Sequence, residues 1–212
     1  MRSAMASGRA AGTVLIMLAL VATLSALLLP IQWFDGNRSI ALARSGWQDD
    51  GDGTWKTEYG PLTPLDRDFI RSVRSAGLWE LPAGRSAKER GGRKSVRIAG
   101  NHLVDGHTEL DKRTIEAAKT LKLPLSNQPT GPQQNWLKEM ENADGDKFDR
   151  VFVDRLRRAS GKTLALIGLV RDQTRNSMVR SLATRANTVV LDHLAVLEET
   201  GLVDYEALND EK

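Results

Sequence analysis

The chain has 212 residues, 41% of them apolar, with 30 basic against 27 acidic side chains. That length suits one domain of about 150 residues plus an N-terminal extension, and a net charge of +3 gives no nucleic-acid-binding composition. Cysteine is absent, which excludes disulfides, thiolate metal sites and a cysteine nucleophile together.

Residues 10–31, AAGTVLIMLALVATLSALLLPI, carry no charge across 22 positions, and a helix of about 20 apolar residues spans a bilayer. Arg2 and Arg9 precede this run, so the positive-inside rule keeps the N-terminus in the cytoplasm and sends the rest across. A cleaved signal peptide is the alternative. Ala41-Leu42-Ala43 has the small-x-small pattern of a cleavage site, but it stands about nine residues past an apolar run already longer than usual. The expected organisation is a signal or transmembrane anchor over 1–34, an extended linker over 35–62, a helical bundle over 63–205 and a C-terminal tail over 206–212. The bundle then sits outside the cytoplasm at the cell membrane, tethered by a single pass, or is secreted if the chain is cut near Ala43.

Within the linker, DDGDGTW (49–55) resembles a calcium loop and fails as one. The twelve-residue pattern needs a ligand where Thr54 stands and glycine where Trp55 stands. A turn between two short extended pieces fits better, with Trp47, Trp55 and Tyr59 packing on the domain or facing the membrane.

From Thr63 onward the apolar spacing is helical. Thr63-Pro64-Leu65-Asp66 is a helix start, with a threonine cap, proline at the first helical position and an acid at the third. The first seam runs Phe69, Val73, Ala76, Glu80, and Pro82 is expected to kink or end this helix. A second helix of about 27 residues follows the turn RGGRK (90–94), with Val96, Ala99, Leu103, His107, Leu110, Thr114, Ala118 and Leu121 on its seam. His102 falls well around that helix and is expected in solvent.

Residues 122–145, broken by Pro124, Pro129, Gly131 and Pro132, form one long connection with a short helix around Trp136 to Asn142. Such a length suits the long crossover of ferritin-like bundles. A third long helix begins near Asp146, with Phe152, Leu156, Thr163, Ile167 and Val170 on one side. After a break near Thr174-Arg175-Asn176, the fourth has the seam Val179, Leu182, Ala186, Val189, His193, Val196 and ends at Gly201. Four long amphipathic helices and no convincing strand predict an all-α fold, a ferritin-like antiparallel four-helix bundle behind the N-terminal helix.

Catalytic motifs fail. Ser160-Gly161-Lys162-Thr163 contains the GKT of a phosphate loop, but Leu156 stands where that loop needs glycine, and the stretch lies inside a helix. No GxSxG elbow and no HExxH occurs. The basic run Arg85, Lys88, Arg90, Arg93, Lys94, Arg97 reads as a solvated bundle end, with an anionic envelope polymer or lipid as the alternative partner. It contains no aromatic residue on which single-stranded nucleic acid could stack.

Glu80, His107 and His193 are the chemical exceptions, because each lies on a seam that should be apolar. At a rise of about 1.5 Å per residue, Glu80 lies roughly 18 Å and His107 roughly 22 Å below the turn near residue 92; His193 lies roughly 27 Å and Ser160 roughly 22 Å from the turn near residue 175. All four therefore fall near mid-height. One carboxylate and two imidazoles can hold Fe, Mn or Zn with open positions. Di-iron bundles, however, carry Glu-x-x-His pairs, and none occurs here. A buried Glu–His–His hydrogen-bond network that specifies packing is the simpler expectation.

DRDFI (66–70), GLWELPAGR (77–85), HLVDGHTELDKR (102–113), FDRVFVDRL (148–156) and LDHLAVLEETGLVDY (191–205) resemble the domain of unknown function 4142 family, particularly its actinobacterial, membrane-anchored members. The resemblance covers about residues 60 to 205 and implies a ferritin-like bundle in an exported protein with no established activity. It also implies a histidine on each of the second, third and fourth helices. His107 and His193 match the first and last of these, and Ser160 departs from the middle one. The expectation is a structural or interaction role in the envelope, with envelope proteins or anionic polymer as partners and no catalytic residue. A metal-binding or metal-dependent redox protein using Glu80, His107 and His193 is the alternative.

Overall fold

A computed structural model describes residues 46–209. The element order is β1 (Trp55–Thr57), β2 (Gly60–Leu62), α1 (Pro64–Arg90), α2 (Lys94–Thr120), α3 (Gly131–Glu141), α4 (Gly145–Gln173), α5 (Ser177–Glu198) and α6 (Tyr205–Asn209). The apolar run at 10–31 and the cleavage motif at Ala41–Ala43 lie outside the described residues. Among the described residues no helix is long and apolar enough to cross a membrane.

The helix start at Thr63 is a full capping box. Thr63 Oγ1 accepts from the Asp66 amide at 3.2 Å, and Asp66 Oδ2 accepts from the Thr63 amide at 2.9 Å. The expected break at Pro82 does not occur, and α1 continues to Arg90. Pro82 faces solvent, so the Leu78 carbonyl it deprives of a partner can turn outward to water. All eight expected seam residues of α2, from Val96 to Leu121, are buried. Arg93, at the N-cap of α2, makes no side-chain cap. Asp149 of α4 caps that end instead, accepting from the Gly92 and Arg93 amides at 2.9 Å each.

This cap also sets the topology. It brings the start of α4 to the start of α2, so the two run parallel. α1 packs on α2 and α4, and α5 packs on the same two, which leaves α2 and α4 on a diagonal. Residues 121–144 therefore travel back along the bundle. Arg74 donates to the Ser126 carbonyl, Ser75 Oγ meets Gln133 Oε1, Trp79 packs edge-on against Trp136 at 5.0 Å, and Arg90 donates to the Glu141 and Ala143 carbonyls. Each later residue of the connection meets a later residue of α1, as a crossover along that helix requires.

Residues 46–62 lie on the bundle as a strap. β1 and β2 pair antiparallel with Trp55 opposite Leu62, so the strands follow the glycine-rich stretch instead of flanking it. Asp50, part of the failed calcium pattern, accepts from Arg67 and Arg71. Arg67 also donates to the Gly53 and Leu62 carbonyls and lies 4.5 Å over the Trp55 ring. The Arg67 guanidinium holds the Asp50 carboxyl well below the usual carboxylate range. At the far end of the hairpin, Ser177 N donates to the Tyr59 carbonyl, and a Cβ at Gly60 would meet the Arg175 carbonyl at 2.5 Å. Trp47, Trp55 and Tyr59 all pack on the apolar core. The chain end read as a tail begins inside α6, where Arg158 donates to the Ala207 carbonyl.

The core has two apolar clusters. Leu65, Phe69, Val73, Leu110, Ile167 and Val190 belong to one; Trp79, Leu103, Phe152, Leu156 and Leu197 belong to the other. Each long helix passes from one cluster to the other through a polar residue: Glu80 on α1, His107 on α2, Ser160 on α4 and His193 on α5. These four make a polar layer at mid-height.

Candidate metal centre

Each member of the layer is there because its helix seam carries it inward. Glu80 and His107 are 3% exposed, Ser160 2% and His193 1%. Burying charge or imidazole in such surroundings costs several kcal/mol unless partners compensate. One partnership is present: His107 Nε2 and Glu80 Oε2 lie 2.8 Å apart, across the α1–α2 interface. The His107 ring also lies against that of His193, with centroids 4.9 Å apart and planes 40° apart. One donor atom from each of Glu80, His107 and His193 falls within 4.8 Å of the others.

Three further polar atoms of the layer are buried without a hydrogen-bond partner among the described residues. Neither ring nitrogen of His193 makes a hydrogen bond to the described residues, and neither does Ser160 Oγ. Burial first, and then the neighbouring His107, push the His193 imidazole down to about 3. The His102 backbone pulls the other way without reaching hydrogen-bond geometry. His193 is thus neutral at physiological pH, the protonation state in which imidazole ligates metals. A cavity of about 10 Å³ adjoins the pair, lined by Glu80, His107, Ser160 and Thr163 among apolar neighbours. It is about the size of one water.

Donors held about 2.1 Å from one ion at tetrahedral or facial angles stand roughly 3.0–3.4 Å from each other. The widest pair, within 4.8 Å, closes by about 1.4–1.8 Å to meet that geometry. Two imidazoles and a carboxylate are the donor set of mononuclear Fe(II) and Zn sites with open positions. His102, expected in solvent, is 41% exposed at its side chain, where Nδ1 meets Asp192 Oδ2 at 2.8 Å.

Sequence reasoning missed Gly106. A Cβ there would lie 2.6 Å from His193 Nε2 and 2.8 Å from Val189 Cγ1. A glycine inside a helix costs about 1 kcal/mol relative to alanine, so its place beside His107 was the available sign of a close approach.

The family model for Domain of unknown function (DUF4142) matches residues 56–200, and the chain belongs to that family. The match includes all four residues of the polar layer. No curated protein and no solved structure matches the chain.

Proposed function

We propose that this member of the DUF4142 family binds one divalent transition-metal ion in its core through Glu80, His107 and His193. The observation that carries this reading is the incomplete pairing of the layer. A buried polar network that only specifies packing satisfies its members, whereas here two imidazole nitrogens and a hydroxyl are buried without partners. A metal would take one His193 nitrogen and replace the proton shared by His107 and Glu80. The adjoining cavity leaves room for one water as a further ligand, beside Ser160. A hydroxyl is a weak ligand for Fe or Zn, so Ser160 serves as a hydrogen-bond partner for that water.

The lengthwise crossover between α2 and α4 supports a ferritin-like description of the bundle. In this reading the apolar run at 10–31 tethers the bundle outside the cytoplasm, and the strap over 46–62 hands the tether to the domain.

The test uses the full chain, purified in detergent without an affinity tag and dialysed against Zn²⁺, Mn²⁺ and, anaerobically, Fe²⁺. One equivalent of at least one metal should be retained, with a raised melting temperature. A ligand at 100 times its Kd stabilises the folded state by about 2.7 kcal/mol. Glu80→Leu/His107→Leu should retain none. Absence of both stoichiometric metal and thermal shift in the wild-type chain would leave the layer as a packing device and overturn the proposal.

A further inference from the structure

We propose that the groove between α2 and α5 is the port through which a divalent cation reaches the core, with His102, Asp105 and Asp192 as its first ligands and Gly106 as the gate. This rests on the metal-binding reading above and adds a surface site and a route to it.

The groove has a volume of about 390 Å³. Its charges are not all equally engaged. Glu109 is held by Arg185 and by Arg113, and these two guanidiniums keep its carboxyl below the usual range. His102 and Asp192 meet across the groove with 41% and 49% of their side chains exposed. Asp105 is exposed and follows His102 by three residues on α2, the spacing that puts two side chains on one helical face. One imidazole and two carboxylates repeat, at the surface, the donor types of the core layer. They suit the same ions.

What turns this polar patch into a route is the wall behind it. Gly106 lines the groove, and a Cβ on it would fall 2.6 Å from His193 Nε2. The Gly106 backbone, beside Val189, therefore stands between the groove and the inner imidazole. That nitrogen is buried, makes no hydrogen bond to the described residues and stands beside the glycine. Asp192 and His193 are consecutive on α5, so an outer and an inner ligand are carried on the same turn. A cation captured by His102 and Asp192 displaces their mutual hydrogen bond. Rotation of the His193 ring then moves a ligand nitrogen from the groove side to the His107 side.

The experiment is stopped-flow loading of Zn²⁺ into the full chain, followed with a competing chromophoric chelator. In His102→Gln/Asp192→Asn the loading rate should fall about fivefold or more as one attracting charge and two of the three outer ligands are lost. Release should slow by the same factor, leaving equilibrium affinity unchanged, because neither residue is a core ligand. Asp192→Glu, which keeps the carboxylate, should retain most of the wild-type rate. Wild-type loading by the double variant would overturn the port and leave the core site standing. A wild-type chain that retains no Zn²⁺ at equilibrium would overturn both.

Discussion

Replacing His107 by alanine in the metal-free chain is expected to lower the unfolding free energy by about 3–5 kcal/mol, from the cavity it leaves and the buried partner it orphans. The reason lies across the interface. Glu80, 3% exposed, has its hydrogen bond from His107 at 2.8 Å, and alanine leaves that carboxyl in the core with a cavity in place of its partner. His107→Leu fills the space but also orphans Glu80, so it too should destabilise. Glu80→Leu/His107→Leu removes both polar groups at similar volume and should cost far less than either single change, or stabilise. Chemical denaturation of wild type, Glu80→Leu, His107→Leu and the double variant gives the coupling directly. A His107→Ala loss below about 1 kcal/mol would contradict the pairing.

The second large effect is on the acid side of neutrality. His193 is held neutral in the folded chain, with its titration pushed from 6.5 to about 3. Between those values the unfolded chain binds a proton at this residue and the folded chain does not. Stability from this group is thus complete above about pH 6.5 and declines on acidification at about 1.4 kcal/mol per pH unit until about pH 3. His193→Leu should remove that slope. Glu80 and His107, which face His193, and His102 and Asp192 in the groove beyond it, are present in both chains. Unfolding free energies of the metal-free proteins at several pH values between 4 and 7 test this. Parallel curves for wild type and variant would show that His193 is not held neutral by burial.

Most of the bundle was legible because it rests on a local signal. The 3.6-residue period placed every seam residue of α2 and α5 in the core, and Thr63 with Asp66 marked a helix start that the hydrogen bonds complete. The mid-height level of Glu80, His107, Ser160 and His193 followed from helical rise alone, since turns at both ends fixed the zero. Features that depend on distant partners were not legible. Pro82 reads as a break until its face is known to be exposed. The cap on α2 comes from Asp149, more than fifty residues away, and Arg93 at that N-cap announces nothing. Asp50 looked like part of a weak calcium pattern, whereas its carboxylate serves Arg67 and Arg71 and fastens the strap. Pairing within the polar layer was also beyond reach, because spacing places four groups at one level without saying which atoms meet. That His193 and Ser160 are left unpaired is a property of the packed side chains.

Joint binding of one ion by Glu80, His107 and His193 is open to X-ray absorption at the zinc edge of the Zn²⁺-loaded full chain. The expected spectrum has a nitrogen and oxygen shell at about 2.0–2.1 Å, with the outer-shell scattering of two imidazoles, one of which is lost in His193→Leu. A spectrum without imidazole scattering, or one that His193→Leu leaves unchanged, would contradict it.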